Sequence, residues 1–215
     1  MDKIRTYKMT HATGFAPNPN CGILTLATCK PGIREKANLG DWIAGFTSTV
    51  KTAGGTPRGK EKLIYLMKVT DKMTFKEYWE QYPQKRPEHS KLGDNIYFWD
   101  ENENKYKQTD KASEHKEEWL QERDKSSDKV LISTEFRYFG KENALDISEY
   151  QKDIEIPYGP AKYGRFWGPN EKVTEFINFV MAQEAKSDID YSASSRKSSN
   201  LDSNPKKKTS SCSKK

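Results

Sequence analysis

The stretch from His11 to Phe46 constrains this chain most. Gly14, Gly22, Gly32, Gly40 and Gly45, with Pro17, Pro19 and Pro31, interrupt it at short intervals. No single helix tolerates that density of Gly and Pro. Ala16-Pro17-Asn18-Pro19-Asn20 is extended or turn-like, because each proline pushes its predecessor out of the helical region. Gly22–Thr28 then reads as a strand. Lys30-Pro31-Gly32 reads as a type II turn, followed by at most one helical turn over Arg34–Asn38. Gly40-Asp41 opens a further strand, Trp42–Ser48. Loops mounted on strands in this way are where binding and chemistry tend to sit.

The rest of the chain supplies a frame for those loops. Ile4–His11 alternates weakly, as a first strand would. Leu63–Val69 is aliphatic and bounded by turn residues, the clearest strand signal. Thr74 with Glu77 has capping-box spacing and starts a helix that must end before Pro83. Asp94–Trp99 and Lys129–Phe139 read as strands. Asp100–Asp128 is charged and apolar-poor, with one short surface helix expected around Lys116–Glu122. Tyr158–Phe166 reads as a Gly/Pro/aromatic loop. Val173, Phe176, Ile177 and Val180 fall at helical spacing within Asn170–Ala185 and define an amphipathic helix that packs on a sheet. No regular βαβ alternation is present. The expected class is α+β: a small curved, mostly antiparallel sheet, or a small barrel, with peripheral helices.

Charge matters only once it is divided. The net charge is +6, but most of that excess lies beyond residue 185. The segment 186–215 is rich in Ser and Lys, holds a single aromatic residue, Tyr191, and has too little apolar surface to offset its ordering entropy. We expect a folded domain over residues 1–185 and a disordered basic tail. The folded part has no wholly basic face by composition, although the tail lysines suit non-specific contact with phosphate. Three cysteines form neither a disulfide framework nor zinc-finger spacing, which predicts a reducing compartment. No apolar run has signal-peptide or membrane-spanning form, so a cytoplasmic location and no membrane partner are expected. No metal site is expected, and no cofactor is specified.

Signatures such as GxSxG, HExxH, a P-loop and Cys-x-x-Cys are absent. Gly54–Lys60 is Gly-rich and cationic but lacks Walker spacing. His11 is the only histidine in a Gly-rich, structured context and is the candidate acid or base, with Cys29 or Asp41 as its catalytic neighbours. A pocket for a nucleobase needs an aromatic face and amide groups for the base edge. Trp42, Tyr97, Asn18 and Asn95 meet that need, as do Phe166 and Trp167. Lys30 and Arg34 are placed to meet phosphate.

Three strings carry a family likeness: His11–Pro19 (HATGFAPNP), Leu24–Arg34 (LTLATCKPGIR) and Gly40-Asp41-Trp42-Ile43. They resemble the nucleotide modification associated domain 2 family, phage and bacterial proteins associated with hypermodification of DNA bases. The likeness continues through Lys62–Tyr65, Gly93–Tyr97 and Phe136–Gly140 and covers roughly residues 4–182. It departs at Asn20-Cys21, where the family carries a small residue. The resemblance implies DNA or nucleotide as partner, together with other proteins of a DNA-modification pathway. The Gly-Asp strand entry is also similar to PUA-like and EVE-like folds, which hold modified bases in aromatic pockets. Three functions are compatible with these residues. The favoured one, since no acid, base and nucleophile set is recognisable in the sequence, is a module holding a modified or flipped base against Trp42. The second is an enzyme that transfers or trims a group on a base or nucleotide. The third is a non-catalytic scaffold docking through Asp100–Asp128.

Overall fold

The computed structural model describes residues 3–90, 92–157, 165–167 and 171–185. The basic tail lies outside them, as does nearly all of the Tyr158–Phe166 loop. Five strands form the main sheet in the order β10-β1-β3-β4-β9: Arg165–Trp167, Ile4–Lys8, Trp42–Phe46, Leu63–Lys68 and Phe136–Tyr138. β1 and β3 run parallel, and every other pair in it is antiparallel. A second, antiparallel sheet has the order β2-β8-β5, from Leu24–Leu26, Lys129–Ser133 and Asp71–Thr74. A hairpin pairs β6, Tyr97–Asp100, with β7, Lys105–Gln108. Four α-helices, with several single 3-10 turns, complete the described elements: α1 Pro31–Lys36, α2 Phe75–Gln81, α3 Glu118–Lys125 and α4 Glu171–Ala182.

The α+β class and the mostly antiparallel pairing are as expected, but the sheets do not close into a barrel. One reason lies in the segment expected as a single strand, Lys129–Phe139. The Ser133 hydroxyl donates to the Glu135 carbonyl at 2.8 Å and accepts from the Glu135 amide at 3.2 Å. This local turn bends the chain, so that β8 joins the second sheet and β9 the edge of the first. Another correction falls at Pro31. The turn expected there is instead the start of α1, because proline pre-sets the first helical position while Lys30 takes a left-handed conformation before it.

Local signals that did form are instructive. Thr74 and Glu77 make the reciprocal capping box that starts α2. Val173, Phe176, Ile177 and Val180 are the buried stripe of α4. That stripe covers one face of the main sheet, against Ile4, Trp42, Ala44, Phe46 and Leu66. Tyr7, Ile43, Ile64 and Met67 pack on the opposite side with Leu24, Ile33 and Leu131. With both faces covered, all five residues of β3 are buried. A third cluster joins Phe15, Phe75, Tyr78, Tyr97 and Val130.

Gly45 in β3 is fixed by its neighbour. A Cβ there would sit 2.2 Å from a ring carbon of Tyr65, whose hydroxyl donates to that of Tyr7 at 2.8 Å. Both rings are buried, so they have nowhere to move. Gly45→Ala is therefore expected to lower the unfolding free energy by about 1–3 kcal/mol through overpacking. Urea titration followed by circular dichroism checks this.

Candidate active site at Cys29, His115 and Asp124

Three chain segments meet where β2 hands over to α1. Cys29 lies between them, with φ of 58°, and Lys30 follows with φ of 40°. His115, in the loop between β7 and α3, has φ of 55°. Left-handed backbone at non-glycine residues is costly and tends to mark functional positions. Three of the five such residues described in this chain belong to this one cluster.

The side chains form a line. His115 Nε2 is 3.6 Å from the Cys29 sulfur. On its other side, His115 Nδ1 donates to Asp124 Oδ2 at 2.5 Å. Asp124 is fully buried at the end of α3. Its second oxygen accepts the Cys29 backbone N–H at 2.9 Å, and Oδ2 also accepts the Tyr97 hydroxyl at 3.2 Å. The Phe15 ring stands edge-on against the imidazole at 5.2 Å. Gln108, at the end of β7, donates to the Glu114 and His115 carbonyls and so fixes the loop that carries the histidine. Cys29 is a free thiol and partly exposed.

The site is rich in positive charge. Arg123 Nη2 lies 3.4 Å from the Cys29 sulfur and 3.4 Å from Asp124 Oδ1. The Lys30 ammonium sits 4.8 Å from the centre of the Tyr7 ring. Burial pulls the Lys30 pKa down, and Cys29 opposes that shift. Burial also works against a charged imidazole, but the bonds to Asp124 and Cys29 outweigh it and push His115 up to about 9. For Asp124, burial is the largest single influence and opposes ionisation, yet the bond and charge of His115, the Cys29 amide and Arg123 together outweigh it and the carboxyl titrates below its usual range. Negative charge developing on sulfur therefore faces an imidazolium and a guanidinium at contact distance.

One atom each from Cys29, His115 and Asp124 falls within 4.8 Å of the others, a spacing that a metal ion accepts. The Arg123 guanidinium already occupies the contact to both sulfur and carboxylate, and Nδ1 is committed to Asp124. A thiol beside an imidazole that a buried carboxylate orients is a geometry that nucleophilic catalysis can use.

The structure gathers Cys29, Lys30, Arg34 and Tyr97 from among the residues singled out in the sequence. Arg34, however, faces inward. It is fully buried and donates to the carbonyls of Cys29 at 2.8 Å, Ser127 at 2.8 Å, Asp124 at 2.5 Å and Lys129. The remaining candidates sit elsewhere. Asn18 is buried, donating to Leu92 and accepting from Lys85 Nζ at 2.8 Å. The Asn95 amide donates to the Tyr78 and Tyr82 carbonyls. Trp42 is 3% exposed, within the core beneath α4. Asp41 pairs with Arg5 at 3.2 Å and caps the turn before β3. His11 is exposed, with Thr52 as its ring contact at 3.5 Å. The side chains of Phe166 and Trp167 lie outside the described residues. His115, Arg123 and Asp124 were not singled out, because each lies in the polar stretch 100–128. The only signal there is a histidine shortly before the short surface helix expected around Lys116–Glu122.

A model of the nucleotide modification associated domain 2 matches residues 1–198, and the chain belongs to that family. No curated protein and no solved structure matches it. Membership ties the chain to nucleotide modification. Among the described residues, no helix is long and apolar enough to cross a membrane.

The His115–Asp124 pair predicts a pH-dependent stability. A histidine raised from 6.5 to about 9 contributes its full stabilisation below pH 6.5 and loses it as pH rises through 9. Unfolding free energy in urea is expected to fall by roughly 2 kcal/mol more between pH 6.5 and 10 in the native chain than in His115→Gln.

Proposed function

We propose that this protein is a cysteine-dependent transferase or hydrolase acting on an acyl-type group attached to a nucleotide or a DNA base. The Cys29–His115–Asp124 line carries the reading. Family membership supplies the nucleotide setting, and the line supplies a chemistry. Cys29 sulfur attacks the acyl carbon and forms an S–C bond. The bond from that carbon to the leaving nitrogen or oxygen breaks, and the leaving atom takes the proton from His115 Nε2. Water, or an acceptor amine or hydroxyl, then gives a proton back to His115 and attacks the thioester, releasing the sulfur. Water makes this a trimming reaction, and an acceptor makes it a transfer. Asp124 holds the imidazole by Nδ1 throughout. Arg123 stands next to the sulfur, where charge develops.

The base-holding alternative rested on Trp42, Asn18 and Asn95. Those side chains are buried and packed or hydrogen-bonded within the protein, so the reading moves to the thiol. A role for His11 as acid or base is a separate assignment, and mutation separates the two. Nucleoside mass spectrometry on DNA from cells producing the native chain, Cys29→Ser, His115→Ala or His11→Ala is the test. The expected result is a changed nucleoside with the native chain that is lost in the first two variants. Retention in Cys29→Ser, with loss in His11→Ala, would overturn the thiol and favour the exposed histidine.

A further inference from the structure

Trp119 is 62% exposed. It is the one aromatic among the large hydrophobic side chains left open to solvent in the described residues, beside Leu39 and Val50. It lies on α3, four residues before Arg123, and residues at that spacing share a helix face. The Arg123 guanidinium carbon is 5.5 Å from the centre of the indole ring. The same guanidinium reaches the Cys29 sulfur at 3.4 Å. Sulfur is therefore within about 10 Å of the ring centre, allowing for one guanidinium C–N bond. Arg123 also keeps a buried Nε–H that has no acceptor.

We propose that Trp119 is the platform on which the substrate's nucleobase stacks, with Arg123 bridging that platform to Cys29. The proposal rests on the thiol reading for what happens next, but base capture itself does not need the thiol. An indole face suits any base, because every base has a π-face and stacking needs no hydrogen-bond code. Trp119 stands at the open end of the site, so a base resting there directs its substituent along Arg123 toward the sulfur. The shared chemistry is the base plane. It comes either from a free nucleotide or from a base in a strand.

Binding is measured in the full chain carrying Cys29→Ala, which blocks turnover, with and without Trp119→Ala or Trp119→Phe. The probe is a short fluorescein-labelled single-stranded DNA, followed by anisotropy. Unlabelled deoxynucleoside monophosphates and an abasic strand of the same length serve as competitors. Trp119→Ala is expected to weaken the labelled strand by roughly five- to a hundredfold, while Trp119→Phe retains most of the affinity. The abasic strand should compete poorly with the native tryptophan present. Competition by monophosphates assigns the platform to free nucleotides, and its absence assigns it to a base in a strand. Unchanged binding in Trp119→Ala overturns the platform, as does an equal loss for the abasic strand. These outcomes do not depend on Cys29 chemistry. If Cys29→Ser retains nucleoside conversion while Trp119→Ala still weakens binding, the thiol reading falls and the platform stands.

Discussion

The Arg34 guanidinium is the internal tie on which the candidate site depends. A buried charge is tolerated only when its donors are satisfied, and here they reach four backbone carbonyls, of Cys29, Asp124, Ser127 and Lys129. Those carbonyls belong to the turn before α1, the end of α3 and the start of β8. One side chain thus ties the turn before α1 to the stretch 124–129, which lies 90 to 95 positions further along the chain. Burial lowers the Arg34 pKa to about 10, with Asp124 as the strongest opposing charge, so the group remains a cation at neutral pH. Phe75 adds an aromatic face 5.3 Å from it. Lysine, with a single ammonium on a flexible stem, does not reproduce that planar fork.

Given this tie, the geometry of the thiol follows. The Cys29 carbonyl is held from below by Arg34, and its amide is held by Asp124. Between those two bonds the backbone accepts a left-handed φ that a cysteine seldom adopts. Among its partners Asp124 holds both the Cys29 amide and the His115 ring, and so it couples the placement of the thiol to the orientation of the imidazole. Phe15 packs edge-on against the imidazole, and Gln108 holds the backbone of the loop that carries it. Strain at Cys29, Lys30 and His115 is thus offset by a network of ordinary hydrogen bonds around them.

How much of this was legible in the sequence depended on whether the cause was local. The capping box at Thr74 and Glu77, the stripe on α4 and the aliphatic run of β4 are local patterns, and each formed where it was expected. The parallel pairing of β1 with β3 and the break between β8 and β9 are decided by tertiary packing and by one serine hydroxyl. Strands β2 and β3 of the Gly/Pro-rich segment formed where they were expected, the turn expected at Pro31 proved to be α1, and the segment delivers Phe15, Cys29, Lys30 and Arg34 to one place. The direction of Arg34 was not legible, because an arginine in a loop looks solvated until its carbonyl partners are known. His115 and Asp124 were hidden for the same reason. A stretch as polar as 100–128 gives no hydropathy signal for an aspartate that becomes fully buried.

The central claim is that Cys29 and His115 act as one unit held by Asp124. The most direct measurement is the rate of Cys29 alkylation by iodoacetamide against pH, mapped by peptide mass spectrometry, in the native chain, His115→Ala and Asp124→Asn. The account predicts fast alkylation near pH 7 in the native chain, at least about tenfold slower in His115→Ala, equivalent to ~1.4 kcal/mol. Asp124→Asn should fall between the two, and the three rates should converge as pH rises above 9, where His115 loses its proton. Superimposable profiles, with all three proteins folded by circular dichroism, would contradict it.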